Sequence, residues 1–342
     1  MLSARGKSLL LFVAVCAGLP LLAECGARLA MARESGDLFD YPDMSDLERA
    51  QVFDPVLWWR LQPGLRDYPV RTLRDLRLQK PTRISRDFVF STNAEGLRSP
   101  PLQPPGTRIR ILAIGDSTTF GLGVGDHETW PAQLEALLNA RAGAPRYAVI
   151  NAGVIGYSSY QGLRYLEQRG LALGPALVIA TFGNNDWAFW GSMPDRVKGE
   201  AWKVYEPGWW PPKLYGLFHF VRLSRPYADG QETPARPRLS EAEYAEVLRA
   251  MHARCASQGV PLLLIGWPEA AQIAAADPAP RHYQAITRRV AAEVGAVHLD
   301  LYAALLPLGQ GAFLDEIHAS AAGCRAVAET LAPVVARLAP VP

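Results

Sequence analysis

From about residue 108 onward, short runs of Ile, Val, Leu and Ala alternate with longer amphipathic stretches. The apolar runs fall at 110–114, 147–151, 176–182, 261–266 and 296–299 and carry no polar alternation, the pattern of strands buried on both faces. Between and after them, helical periodicity covers about 129–141, 159–171, 241–257, 280–294 and 320–337. Strands separated by helices imply crossover connections, so the pattern predicts an α/β fold: a three-layer αβα sandwich around a five-stranded parallel sheet. One helix start is well marked, because Ser240-Glu241-Ala242-Glu243 has capping-box spacing and Gly259 lies near the expected stop.

Two long segments do not fit this rhythm. Residues 36–107 mix Pro, Arg and aromatic residues without helical period and read as a tether and a small β-rich cap. Asp54-Pro55-Val56-Leu57-Trp58-Trp59-Arg60 and Phe88-Val89-Phe90-Ser91-Thr92 are each expected to contribute a short strand packed against the main domain, with Trp58 and Trp59 as packing residues. Residues 187–239 interrupt the alternation after the third strand and hold five of the nine tryptophans: Trp187, Trp190, Trp202, Trp209 and Trp210. Their rings suit stacking on sugars, contact with acyl chains or a bilayer, or a small core of the insertion's own. Leu214, Leu217, Phe218, Val221 and Arg222 predict a short amphipathic turn-and-a-half packed on the main domain, and Asp229 to Arg238 reads as a solvated loop.

Candidate chemistry sits just past the apolar runs, where ligand sites collect at the carboxyl ends of strands in an open α/β sheet. The first run leads into Gly115-Asp116-Ser117-Thr118-Thr119. A serine hydroxyl needs an imidazole to take its proton, and the imidazole needs a carboxylate to fix its tautomer. Asp315 and His318, three residues apart before the last helix, supply both. Acyl transfer also requires donors for the oxyanion. The second run leads to Asn151-Ala152-Gly153-Val154-Ile155-Gly156, offering the Gly156 amide. The third leads to Gly183-Asn184-Asn185-Asp186, offering the Asn185 side-chain amide, with Asp186 as a brace for that loop. His298, close to Asp300, is a weaker candidate base, and the remaining histidines lack partners at motif spacing. Gly121-Leu122-Gly123-Val124-Gly125 misses both the phosphate-loop and dinucleotide spacings and reads as a turn beside the serine.

With these four blocks in this order, the chain resembles the SGNH hydrolases, also called GDSL-type esterases, over roughly Arg108 to Leu331. The segment Asn93-Ala94-Glu95-Gly96-Leu97-Arg98 looks like the lead-in of bacterial membrane-linked members. The one departure is Thr118, where the family's nickname has Leu. The resemblance implies a flavodoxin-like fold, with Ser117 as nucleophile and first oxyanion amide. It makes Gly156 and Asn185 the other oxyanion donors, His318 the base, Asp315 its orienter, and Asp116 and Asp186 supporting residues. Trp187 and Trp190, beside the Asn185 loop, are candidates for substrate contact.

Composition then narrows the setting. The 342 residues are 49% hydrophobic, enough for a full core with appended structure. A formal charge of +2, with only five Lys among 35 basic residues, gives no electrostatic case for nucleic acid. No metal-ligand spacing and no cofactor motif is present, and no protein partner follows. Ser8 to Ala23 is uncharged and mostly apolar behind Arg5 and Lys7, spanning roughly 24 Å against a hydrocarbon core of roughly 30 Å. Residues 1–35 therefore read as a signal anchor, extended by snorkelling Lys7 and Arg28, with the domain at 108–342 on the extracytoplasmic side. Cleavage near Ala30-Met31-Ala32 is the alternative, and Leu22-Ala23-Glu24-Cys25 fits a lipoprotein box poorly. Cys255 and Cys324 fall on apolar helix faces and read as buried free thiols, in preference to a bridge between them.

The sequence thus predicts a serine esterase acting on an ester-linked acyl group, such as O-acetyl on an envelope polysaccharide or lipid. The alternatives are an O-acetyltransferase using the same residues and a non-catalytic glycan-binding envelope protein.

Overall fold

The computed structural model describes residues 18–29, 31, 46–71, 74–75, 80–81, 87–188, 193–206, 212–227 and 236–341. Arg5, Lys7 and most of the apolar run from Ser8 lie outside these residues, as do Ala30, Ala32, Trp190, Trp209, Trp210 and positions 229–235.

The five predicted strands form one parallel sheet: β5 (Ile109–Gly115), β6 (Tyr147–Gly153), β7 (Leu177–Thr181), β8 (Leu262–Gly266) and β9 (Val297–Asp300). They lie in the spatial order β9-β8-β7-β5-β6. Successive residues of β5 face opposite layers. Leu112 and Ile114 pack with helices α3 (Ser159–Tyr165), α6 (Glu241–Ala256) and α7 (His282–Val294), whereas Ile111 and Ala113 pack with α2 (Trp130–Ala142) and α8 (Ala321–Leu338). Each fully buried Ile, Leu or Val contributes roughly 1.5–3 kcal/mol, so the two-sided burial of β5, β7 and β8 explains why these runs are uniformly apolar. The Ser240–Glu243 capping box forms in both directions at the start of α6. The helix predicted over 159–171 is α-helical only to Tyr165. It widens into a π-type turn over Leu166–Gly170 and tightens to a 3-10 turn over Leu171–Leu173.

The segment ahead of the sheet supplies three antiparallel pairs: β1 (Gln51–Asp54) with β2 (Trp58–Leu61), β3 (Tyr68–Val70) with β4 (Phe88–Phe90), and the two-residue strands Arg74–Asp75 and Lys80–Pro81 with each other. Leu57, Leu61, Phe88 and Phe90 belong to the same hydrophobic cluster as Leu112 and Ile114, so this cap is continuous with the core. Trp58 is fully buried, as a packing residue should be.

The two sheet faces separate the cysteines. Cys255 lies in the α3/α6/α7 layer and Cys324 in the α2/α8 layer; both are free thiols, and burial pushes each up to about 12. In the native protein, dithionitrobenzoate is expected to react with the exposed Cys25 but with Cys255 and Cys324 only as urea unfolds the chain. Rapid native-state titration of either core thiol would refute this packing.

Within the insertion, α4 (Asp195–Trp202) and α5 (Lys213–Ser224) pack together. Here the structure corrects the sequence reading twice. First, α5 is a three-turn helix, and Leu214, Leu217, Phe218 and Val221 are exposed instead of packed on the main domain, Phe218 by 67%. Its buried side is the opposite one, where Gly216 abuts Val204 and Phe220 meets Tyr205 edge-on. Second, Arg238 is not on a solvated loop: only 5% exposed, it pairs with the buried Asp195. Trp202 packs against the rings of Phe53, Trp58 and Tyr205 in tilted and edge-on contacts, so this insertion tryptophan serves packing. Among the described residues, no helix is long and apolar enough to cross a membrane.

Candidate active site

The register of the sheet brings three loops to one edge. Gly115 of β5 lies opposite Gly153 of β6 and Thr181 of β7, so the segments after all three strands start at one level. Beyond Gly115 the chain turns sharply through Asp116 into α1 (Ser117–Phe120). Both glycines are sterically required. A side-chain carbon on Gly115 would lie 2.1 Å from Thr119 Oγ1, and one on Gly153 would lie 2.2 Å from the backbone nitrogen of Phe120. Their absence lets α1 sit directly on the strand ends.

Asp116 caps α1, accepting from the Thr118 amide at 2.8 Å and the Thr118 hydroxyl at 2.7 Å. Burial nevertheless pushes its carboxyl above the usual range. At the other end of α1, the lead-in arginine has a definite task. Arg98, buried against the rings of Phe88, Phe90 and Phe120, donates to the carbonyls of Phe120, Gly121 and Val124 and to Asp126. It thus places a positive charge beside the carbonyls that end the helix, and Gly121, at φ 87°, makes the turn that the glycine-rich stretch predicts.

Asp315 and His318 lie in the loop before α8. Asp315 Oδ1 accepts from the His318 backbone amide at 2.8 Å and from that of Ile317 at 2.9 Å, which fixes the carboxylate. Its Oδ2 lies 2.7 Å from His318 Nδ1, and His318 Nε2 lies 2.7 Å from Ser117 Oγ. Burial raises the Asp315 carboxyl, but the hydrogen bond and charge of His318 and the two amides outweigh it, so the group sits below the usual range. The loop is held from behind, Trp267 Nε1 donating to the Ile317 carbonyl and the Ala270 amide to that of Glu316. His298 forms no hydrogen bond with Ser117; it lies on β9 near Gly266.

The segment after β6 is fixed by its carbonyls. Tyr157 N–H donates to Val154 O at 3.1 Å, Trp59 Nε1 to Ile155 O at 3.0 Å, Arg238 to Gly156 O, and Asn185 Nδ2 to Tyr157 O at 3.0 Å. All four carbonyls from 154 to 157 are therefore engaged. Gly156 adopts φ 78°, a left-handed conformation that favours glycine. Among the described residues no hydrogen bond uses the N–H of Ser117 or of Gly156. The Asn185 amide has two hydrogens, so its bond to Tyr157 leaves one to offer.

Asp186 braces the neighbouring loop. Its Oδ1 accepts from the Ser159 amide and hydroxyl and its Oδ2 from the Gly183 amide, while burial pushes its carboxyl up to about 6. Trp187, the next residue, is 47% exposed.

Sequence spacing could not find Arg238 and Trp59. Arg238 also holds Asp195 and Gln161, and Asp195 accepts from Ser158, so the insertion's end and the loop after β6 share one buried polar cluster. The contacts span 82 residues from Arg238 to Gly156 and 96 from Trp59 to Ile155. The only local signal was the placement of Arg238 just before the Ser240 cap.

The GDSL-like lipase/acylhydrolase family matches residues 113–326. Esterase TesA of Pseudomonas aeruginosa is 32% identical over 127 residues, which is 34% of this chain; the match spans 62% of that esterase's length. Among solved structures, a lipase/acylhydrolase from Enterococcus faecalis is 19% identical, covering 66% of this chain and 95% of that one at a TM-score of 0.45. An acetyl xylan esterase from Geobacillus stearothermophilus is 18% identical, covering 69% and 96% at 0.45. The family match extends over more than half of the chain, from within β5 to within α8, and takes in Ser117, Gly156, Asn185, Asp315 and His318. The chain belongs to the GDSL-like lipase/acylhydrolase family, within the SGNH hydrolase superfamily.

Proposed function

We propose that this protein is a membrane-anchored serine esterase that removes an ester-linked acyl group, O-acetyl on an envelope polysaccharide or lipid being the favoured substrate. The observation that carries the chemistry is the continuous line Ser117 Oγ, His318 Nε2, His318 Nδ1, Asp315 Oδ2, with 2.7 Å at each hydrogen bond. Ser117 attacks the ester carbonyl as His318 takes its proton. The amides of Ser117 and Gly156 and the side chain of Asn185 receive the oxyanion, and His318 returns the proton to the departing alkoxide. Water, activated by the same imidazole, then releases the acid from Ser117. Asp315, held ionised by its surroundings, keeps the Nδ1 proton directed at itself, so that Nε2 is free to act as base. The anchor and extracytoplasmic site rest on the uncharged run from Ser8 behind Arg5 and Lys7. The acetyl choice rests on export of the domain and on the aromatic insertion beginning beside Asn185.

The test is to treat the full-length protein in detergent with a fluorophosphonate probe and map the modified peptide. Stoichiometric labelling at Ser117, blocked by prior denaturation, is expected, together with turnover of p-nitrophenyl acetate. Well-folded protein that takes up no probe would overturn the reading in favour of a glycan-binding module.

A further inference from the structure

We propose that the exposed face of α5 lies in the interface of a lipid bilayer and forms one membrane-binding surface with the N-terminal helical segment. The proposal rests on the anchor reading above. Leu214, Leu217, Phe218 and Val221 recur at i, i+3, i+4 and i+7 on α5 and are all exposed, with Tyr215 beside them. The opposite face is occupied by Val204 and Tyr205, so the helix turns its apolar stripe outward while holding to the protein by the other side. An outward apolar stripe on an amphipathic helix needs a covering phase.

Two observations identify that phase as lipid. The start of α5 is tied to the N-terminal segment. Glu24, in the helix at residues 18–29, accepts from the Lys213 amide at 2.8 Å and the Leu214 amide at 3.0 Å, capping α5 with a carboxylate from 189 residues upstream. Arg28 pairs with the same carboxylate at 2.7 Å. Residues 18–29 themselves expose Leu19, Leu21, Leu22 and Leu29, and the chain ahead of them is the apolar run from Ser8. Whatever covers those leucines is therefore adjacent to the α5 stripe. The second observation is charge. From Pro207 to Ala228 there is no Asp or Glu, whereas Lys213, Arg222 and Arg225 are present, with Trp209 and Trp210 just ahead of the helix. Arg222 and Arg225 are exposed. Cations at the end of an apolar stripe, with aromatic residues near its start, suit anionic headgroups over acyl chains.

The consequence for function follows from the insertion's neck. Arg238 N–H pairs with the Ala188 carbonyl and Leu239 N–H with that of Asp186, so the insertion bearing α5 begins and ends beside the Asn185 loop. A bilayer contact at α5 holds the catalytic edge near the membrane surface and favours acyl esters on lipids or membrane-linked glycans over freely diffusing ones.

The test uses the full chain in nanodiscs containing anionic phospholipid. A nitroxide is placed at Phe218→Cys, with Cys16→Ser and Cys25→Ser to remove competing thiols; a second sample carries it at Glu200→Cys on α4 as an exposed control. Power saturation is read with oxygen and with a water-soluble nickel complex. The expected result is greater accessibility to oxygen than to nickel at 218 and the reverse order at 200. Protein that stays with the membrane on carbonate extraction but shows nickel-accessible label at 218 would overturn the α5 surface alone. Dipolar broadening between labels at 218 would overturn it in favour of a second copy of the chain. Protein released by carbonate would overturn the anchor and this surface together.

Discussion

Replacing Ser117 by alanine is expected to lower ester turnover by at least about a thousandfold, and His318→Ala by a similar factor. In the proposed mechanism the hydroxyl and the imidazole act as one unit. Without the imidazole the serine keeps its proton, and without the serine the imidazole has no nucleophile to activate. The double variant is therefore expected to be no slower than either single one, because the second substitution removes a group already without a task. Neither change should unfold the protein: Ser117 is held by its backbone in α1, and the loop bearing His318 is fixed by backbone amides and by Trp267. Steady-state kinetics with p-nitrophenyl acetate on the full-length protein, beside its circular dichroism, check this. Retention of even a tenth of the turnover in Ser117→Ala would remove Ser117 as nucleophile. Equal, negligible rates in all three proteins would point to a transferase that excludes water, tested next with sugar acceptors.

The sheet and its covering helices were legible because burial on both faces leaves an unmistakable run of Ile, Val and Leu. The strand predicted over 110–114 is observed at Ile109–Gly115, and the helix over 241–257 at Glu241–Ala256. The candidate serine, histidine and aspartate were legible for a different reason: Ser117 directly follows a buried strand, and Asp315 and His318 lie in the short loop that leads into the last helix. What escaped was set by distant contacts. The α5 stripe was recognised as apolar, but periodicity gives the existence of a face and not its direction. That direction was decided by Gly216, whose missing side chain lets Val204 approach and turns the leucines outward. Arg238, among Pro, Thr and Gln in sequence, resembled any polar loop residue. Its burial is decided by Asp195, 43 positions earlier, and no local pattern signals such a pair.

Arg238 is where the second large effect is expected. Its guanidinium is shared by Asp195, Gln161 and the Gly156 carbonyl, all in a region closed to solvent. Arg238→Met removes the charge that compensates Asp195 and leaves that carboxylate, only 2% exposed, with Ser158 as its remaining side-chain donor. Breaking a buried ion pair from one side costs about 3–5 kcal/mol, measured as a fall in the free energy of urea unfolding. Arg238→Met with Asp195→Leu removes both charges and is expected to recover most of that loss, since the attraction of such a pair is nearly offset by its desolvation. Activity should not recover with it. The Gly156 carbonyl still lacks its donor, and the loop whose amide is proposed to receive the oxyanion is free to rotate by part of an ångström, a misplacement that costs up to about a hundredfold. The loss should fall on kcat with KM little changed, because the contact at stake strengthens as the oxyanion forms. Full recovery of kcat in the double variant would show that Trp59 and Asn185 suffice to hold the loop. Recovery of stability alone would make Arg238 the residue through which the insertion positions the catalytic edge.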